Sequence, residues 1–170
     1  MLQLTEFSRS QLEDIYSQHV AHGFFQKHKE QIHAELLELG AVPYDLWLPE
    51  THALPLIIHP NEHITGIVYG RYHQEDGHQV GRGALVATNT RILLIDKKPL
   101  FIRCDEVTYE VVSGVTYTTL GFVGTVTLHT RIGAISVRTF NQKCAESFVE
   151  SVEATIFSNA ARGKQYDYSP

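Results

Sequence analysis

Apolar and polar positions change rhythm twice along this chain, and the changes divide it into three stretches. From Ser8 to Leu39 the apolar residues recur at helical intervals: Leu12, Ile15, Tyr16 and Val20, then Phe24 and Phe25, then Ile32, Leu36, Leu37 and Leu39. Ser8 with Gln11 fits a capping box, and Phe7 with Leu12 stands at the staple spacing around it. Gly40 followed by Pro43 supplies the stop. Two details argue against one straight rod. Gly23 costs about 1 kcal/mol relative to Ala in a helix interior. Residues 26–31 are polar on every side, which reads as a solvent-spanning piece or a hinge. The pattern therefore predicts two helices, or one kinked near Gly23.

Residues 41–60 are punctuated by Pro43, Pro49, Pro55 and Pro60, yet Leu46, Trp47, Leu48, Leu54, Leu56, Ile57 and Ile58 make them too apolar for a solvated linker. A short helical turn is expected from Pro49, a residue suited to the first helical position. This connector is expected to pack on the strand-rich domain C-terminal to it.

From Ile64 the rhythm becomes that of strands. Seven are predicted: 64–72, 82–88, 91–97, 100–104, 111–119, 122–130 and 134–140. The second and third fold back across Thr88-Asn89-Thr90, where Asn89 tolerates a tight connection. A hydrophilic loop, 73–79, separates the first two, and Gly133 serves a three-residue hairpin loop between the last two. A final helix follows, with Asn141 as N-cap and Ala145, Phe148, Val149, Val152 and Ile156 on one face, while Glu146, Glu150 and Glu153 point away. After Ser158 the residues are small and polar and read as a loose tail. The expected fold is mainly β with helices: a seven-stranded antiparallel barrel or sandwich capped by a C-terminal helix and preceded by a helical extension. The expected organisation is 1–53 extension and connector, 54–157 barrel domain, 158–170 tail.

Charge narrows the function. The 170 residues carry a net charge of −5. Residues 1–58 hold three Lys or Arg against eight acids, 59–157 hold nine against ten, and 158–170 hold two against one. A nucleic-acid binder usually shows a strong basic bias, so no nucleic-acid partner is expected. No apolar run approaches the roughly 20 residues of a membrane-spanning helix, and no secretory leader is visible. A cytoplasmic protein is the expectation.

The local sequence adds a resemblance. The stretches LPLIIHPNEHITGIVYG (54–70), GALVATNTRILLIDKK (83–98), FIRCDEVTYEVVSGV (101–115) and GTVTLHT (124–130) resemble the YokE-like bacterial pleckstrin-homology (PH) domains over roughly residues 54–157. The features that carry it are Pro60-x-Glu62 before the first strand, Ala87-Thr88-x-x-Arg91 between the second and third, and Val107-x-Tyr109 before the fifth. The resemblance implies a PH-like fold and a binding scaffold without chemistry of its own. Eukaryotic relatives that grip phosphoinositides place several Lys and Arg around the first loop. Here 71–82 offers Arg71 and Arg82, offset by Glu75 and Asp76, which speaks against clustered phosphate recognition.

No catalytic, cofactor-binding or metal residue is assigned, no cofactor is expected, and the chain is read as a non-enzyme. Cys104 and Cys144 form no CxxC and read as core-lining thiols. His19 and His22 share a helical face but fall short of the four ligands of a closed zinc site. His73 and His78 read as solvated loop residues, and Arg91 as paired with a carboxylate such as Asp96 or Asp105. Lys97-Lys98 reads as a hairpin tip and the Trp47 cluster as core, an exposed Trp47 being the sign of a partner surface. No nucleophile elbow surrounds any serine. The expected role is protein–protein contact or self-association through the acidic helical arm, with a homodimer as one form. Membrane or phosphoinositide contact is the alternative, and a small apolar ligand in a barrel given room by Gly66, Gly70, Gly114, Gly121 and Gly124, or an enzyme, the second alternative.

Overall fold

The computed structural model describes residues 9–75 and 79–166, with side chains described for 21–75 and 80–162. The capping box and staple at Phe7 and Ser8 lie outside the described residues. Helix α1 spans Arg9–Glu38, α2 Pro49–Ile57 and α3 Gln142–Tyr166. Seven strands lie between α2 and α3: β1 (Ile64–Gln74), β2 (Gln79–Thr88), β3 (Arg91–Lys97), β4 (Ile102–Thr108), β5 (Val112–Leu120), β6 (Val123–Thr130) and β7 (Gly133–Thr139). They form one antiparallel sheet in the order β4-β3-β2-β1-β7-β6-β5.

The long strand β1 is the hinge of this sheet. It pairs with β2 along its length, but with β7 only from Arg71 to Gln74. The sheet thus turns over on itself, and α3 fills the concave side against β1, β2, β5 and β6. Asn141 caps that helix through its Oδ1, which accepts from Cys144 N–H at 3.1 Å. Phe148, Ala145 and Val152 are fully buried among Val68, Leu85, Leu94, Val115, Val126 and Leu128. Gly66 is required here: a Cβ on it would lie 2.8 Å from the Phe148 Cα.

A second core lies on the opposite face of β1–β3. Ile32 and Leu36 of α1, with Leu54 and Ile58, cover Ile67, Tyr69, Ala84, Val86, Leu93 and Ile95. Strands buried on both faces need continuous apolar sequence, which is why 83–87 and 92–95, on either side of the turn, are each apolar throughout. By contrast, β6 alternates buried and partly exposed residues because only α3 covers it.

The structure departs from the sequence pattern at several points. Helix α1 is one element of 30 residues, not two. The polar stretch 26–31 is carried by the i,i+4 pairs Gln26–Glu30 and Gln31–Glu35, both at 3.0 Å. Within that stretch His28 is buried, its Nε2 2.9 Å from the Ile58 carbonyl, so it anchors rather than spans solvent. Gly40, at φ 99°, ends α1 with paired bonds from Gly40 N to Leu37 O and Ala41 N to Leu36 O. The turn from Pro49 forms as α2 and packs on the sheet.

Strand β4 starts later than the pattern predicts and runs to Thr108, because Leu100 and Phe101 form the turn and an edge strand tolerates Asp105 and Glu106. The polar residues from Ser158 onward continue α3 to Tyr166 rather than forming a tail at once. The space beside three of the five glycines is taken. Phe148 fills the room beside Gly66, a Cβ at Gly70 would meet the Arg138 carbonyl, and the Tyr117 ring covers Gly124. Gly114 and Gly121 have nothing within 4 Å of a Cβ, and Gly121 is exposed.

Candidate functional site

The residues that single out this sequence most strongly meet in one buried knot. Glu62 is 3% exposed and accepts from Arg91 Nε at 2.9 Å and Nη2 at 3.0 Å, from Thr88 Oγ1 at 2.7 Å, from Thr90 Oγ1 at 3.0 Å and from His59 N–H at 3.1 Å. Arg91 continues to Glu106 at 2.7 Å and to the Ile57 carbonyl at 3.2 Å. Burial alone would raise the Glu62 carboxyl, but the donated bonds from Arg91, Thr88, His59 and Thr90 outweigh it and hold it at about 2. Arg91 therefore pairs with Glu62 and Glu106, not with Asp96 or Asp105. The alternation of strands explains this: Arg91 and Leu93 share a face, Glu106 lies opposite Leu93, and Asp105 opposite Leu94 points the other way. The knot ties the connector to the β2–β3 turn and to β4. Its chemistry is structural, with one guanidinium shared between the two carboxylates.

A cavity of about 310 Å³ adjoins the knot through Glu106 and is lined by Gln74, Arg103, Asp105, Thr130 and Ile135 among others. Its cation is already neutralised: Arg103 bonds Asp105 and, at 3.0 Å, Gln74 Oε1. Beside it Tyr72 donates to Asp96 at 2.7 Å, and desolvation with that carboxylate raises the phenol to about 12. Lys98 at the hairpin tip is 2.8 Å from the same Asp96.

The other singled-out residues separate. Cys144 is buried and its thiol is pushed up to about 12 by desolvation, whereas Cys104 is exposed rather than core-lining. No group of three metal-ligating side chains occurs among the described residues. His22 is exposed, and the side chain of His19 and all of His78 lie outside the described detail. His73 is exposed on β1. Trp47 is 78% exposed, correcting its reading as core, and Tyr44 beside it is 72% exposed. Among the described residues no histidine is hydrogen-bonded to a serine or cysteine, and no helix is long and apolar enough to cross a membrane.

One feature escaped the sequence pattern. Arg71 stands directly opposite Arg82 on β2 and opposite Arg138 on β7, so three guanidinium groups from distant positions form one row across the outer face. Thr125, Thr127, Ser136 and Thr116 continue that face. Like charges in register are unfavourable, and among the described residues none of the three arginines has an ion-pair partner. Two of them were visible in the sequence. The third required the β1–β7 register.

A family model described as "Bacterial PH domain" matches residues 58–154. The chain belongs to the bacterial PH domain family. The match spans β1 to the middle of α3, as the resemblance implied. Among solved structures, the Vps36 N-terminal PH domain is similar at 13% identity and TM-score 0.46, covering 62% of this chain and 86% of that one. A DUF1696 family protein with a pleckstrin-homology domain from Shewanella loihica PV-4 is similar at 20% identity and TM-score 0.36, covering 63% and 89%. No curated protein matches the chain. Domains of this fold typically bind or scaffold rather than catalyse.

Proposed function

We propose that this bacterial PH domain is a non-catalytic, cytoplasmic interaction module whose N-terminal arm carries the protein contact. In this reading residues 1–53 present the contact, 54–157 are the scaffold, and 158–170 are an appendage. The observation that carries it is the exposure of α1 from Ala21 to Lys27, with Phe24 56% and Phe25 40% exposed, next to the buried His28, Ile32 and Leu36 of the same helix. Exposed Trp47 and Tyr44 add aromatic surface beyond the end of that helix.

A photoreactive residue at Phe24 in living cells tests it, with exposed Glu153 as the control position. A protein adduct, to itself or to another chain, is expected from Phe24 well above the control. Equal yield at both positions contradicts the reading.

A second reading is favoured by the arginine row: contact with an anionic membrane surface. Exposed Leu100, Phe101 and Ile132 lie in the turns after β3 and β6 and supply apolar tips near that end of the sheet. Co-sedimentation with phosphatidylserine vesicles should then fall with salt and with Arg71→Ala or Arg138→Ala. Absence of binding at low salt removes it.

A further inference from the structure

Arg82, Arg71 and Arg138 stand abreast on consecutive strands, β2, β1 and β7. All three are exposed, and among the described residues none is ion-paired. Thr125 and Thr118 carry the same line across β6 and β5 without an acid. Neighbouring strands lie about 4.8 Å apart, so the three side chains start from a line about 10 Å long.

Exposed apolar side chains run beside this line. Phe140, two residues on from Arg138, is 81% exposed. Leu120 is 86% exposed and pairs with Val123, which comes level with Phe140 one step beyond the Gly124–Thr139 pair. On β1 the residue two before Arg71 is Tyr69, on the same face of the strand, and α2 stands over it: Thr51 Oγ1 lies 2.6 Å from the Tyr69 hydroxyl. The arginines therefore lie at the foot of a helix about 10 Å across. A flat bilayer meets that helix before it reaches them.

The spacing of the row is that of a helix. Residues i, i+3 or i+4, and i+7 of an α-helix share a stripe about 10 Å long, which matches the row. Alternate residues of a strand stand about 7 Å apart and miss its rungs. The sheet already takes helices on its concave side and over β1–β3, whereas no described helix packs on the outer face of β5–β7.

We propose that this face docks a helix of another protein that carries such an acidic stripe of Glu or Asp beside an apolar one. The acids lie over Arg82, Arg71 and Arg138, and the apolar residues lie against Phe140 and Leu120. Charge complementarity names the partner, and its binding relieves the repulsion between like charges in register. The site is separate from the helical arm and stands whether or not the arm makes a contact.

Fluorescence anisotropy of the full chain at low salt tests this with a labelled synthetic helix bearing that Glu stripe beside a Leu stripe. Circular dichroism confirms that each variant is folded. The Glu peptide is expected to bind, and its Gln counterpart to bind about tenfold more weakly. Arg71→Gln and Arg138→Gln are each expected to weaken the Glu peptide about tenfold, and Arg131→Gln, in the exposed turn after β6, to leave it unchanged. Arg71→Glu with Arg138→Glu is expected to shift the preference to a Lys peptide. Absence of binding overturns the proposal, as does binding that Arg131→Gln weakens as much as Arg71→Gln does. Arg71-dependent binding of phosphatidylserine vesicles without binding of the peptide also overturns it and gives the row to a membrane.

Discussion

Glu62 and Arg91 illustrate how much of this molecule's recognisable sequence is architectural. The Glu62 carboxyl is held at about 2, below its ordinary 4.5, so the folded state binds fewer protons than the unfolded chain. Its contribution is complete above about pH 4.5 and is lost as pH falls toward 2, at most about 3 kcal/mol by linkage. Acid titration of unfolding should show that loss, and Glu62→Gln should flatten it while lowering stability at neutral pH. At Arg71 the expectation runs the other way. Arg71→Gln removes like-charge repulsion from the centre of the row, so at low salt the free protein should gain a few tenths of a kcal/mol, read as a small rise in Tm. A loss of stability would mean that the row is compensated within the chain. Arg91 was legible as a paired residue, but its partners were not. Identifying them needed the β3–β4 register, which a sequence without pairing information leaves open.

At the scale of elements, the strands and α3 were legible because period and capping agree there with burial. Val126 and Leu128 alternate with Thr125 and Thr127, and Asn141 both looks like and acts as a cap. Of the two readings of α1 the two-helix one fails, and 26–31 was read as a solvent-spanning piece or hinge because local polarity was weighed without the tertiary anchor that His28 provides by bonding Ile58. Trp47 was misread because an aromatic residue in an apolar connector usually packs, and here it does not. Phe148 is the side chain on which the closure of the sheet by α3 depends. Phe148→Ala should cost about 3–5 kcal/mol, measured by urea unfolding, with helix signal lost in the same transition as sheet. Separate transitions would mean that α3 is not part of the core.

Across the whole molecule, one bent sheet is covered on its concave side by α3 and on part of its convex side by α2 and the second half of α1. Two apolar cores lie on the two faces of the sheet, and buried Glu62 and Asp96 are ion-paired with Arg91 and Lys98. Exposed among the described residues are Ala21–Lys27 of α1, Trp47 and the arginine row. The division of labour proposed for this family member, a packed scaffold and an exposed arm, follows from that distribution. Hydrogen exchange of the full chain tests it most directly. Residues 28–38, β1–β3 and the first half of α3 should be strongly protected, whereas 21–27 should exchange markedly faster than 28–38. Exchange of 21–27 as slowly as 28–38 would contradict an arm that stands out from its scaffold.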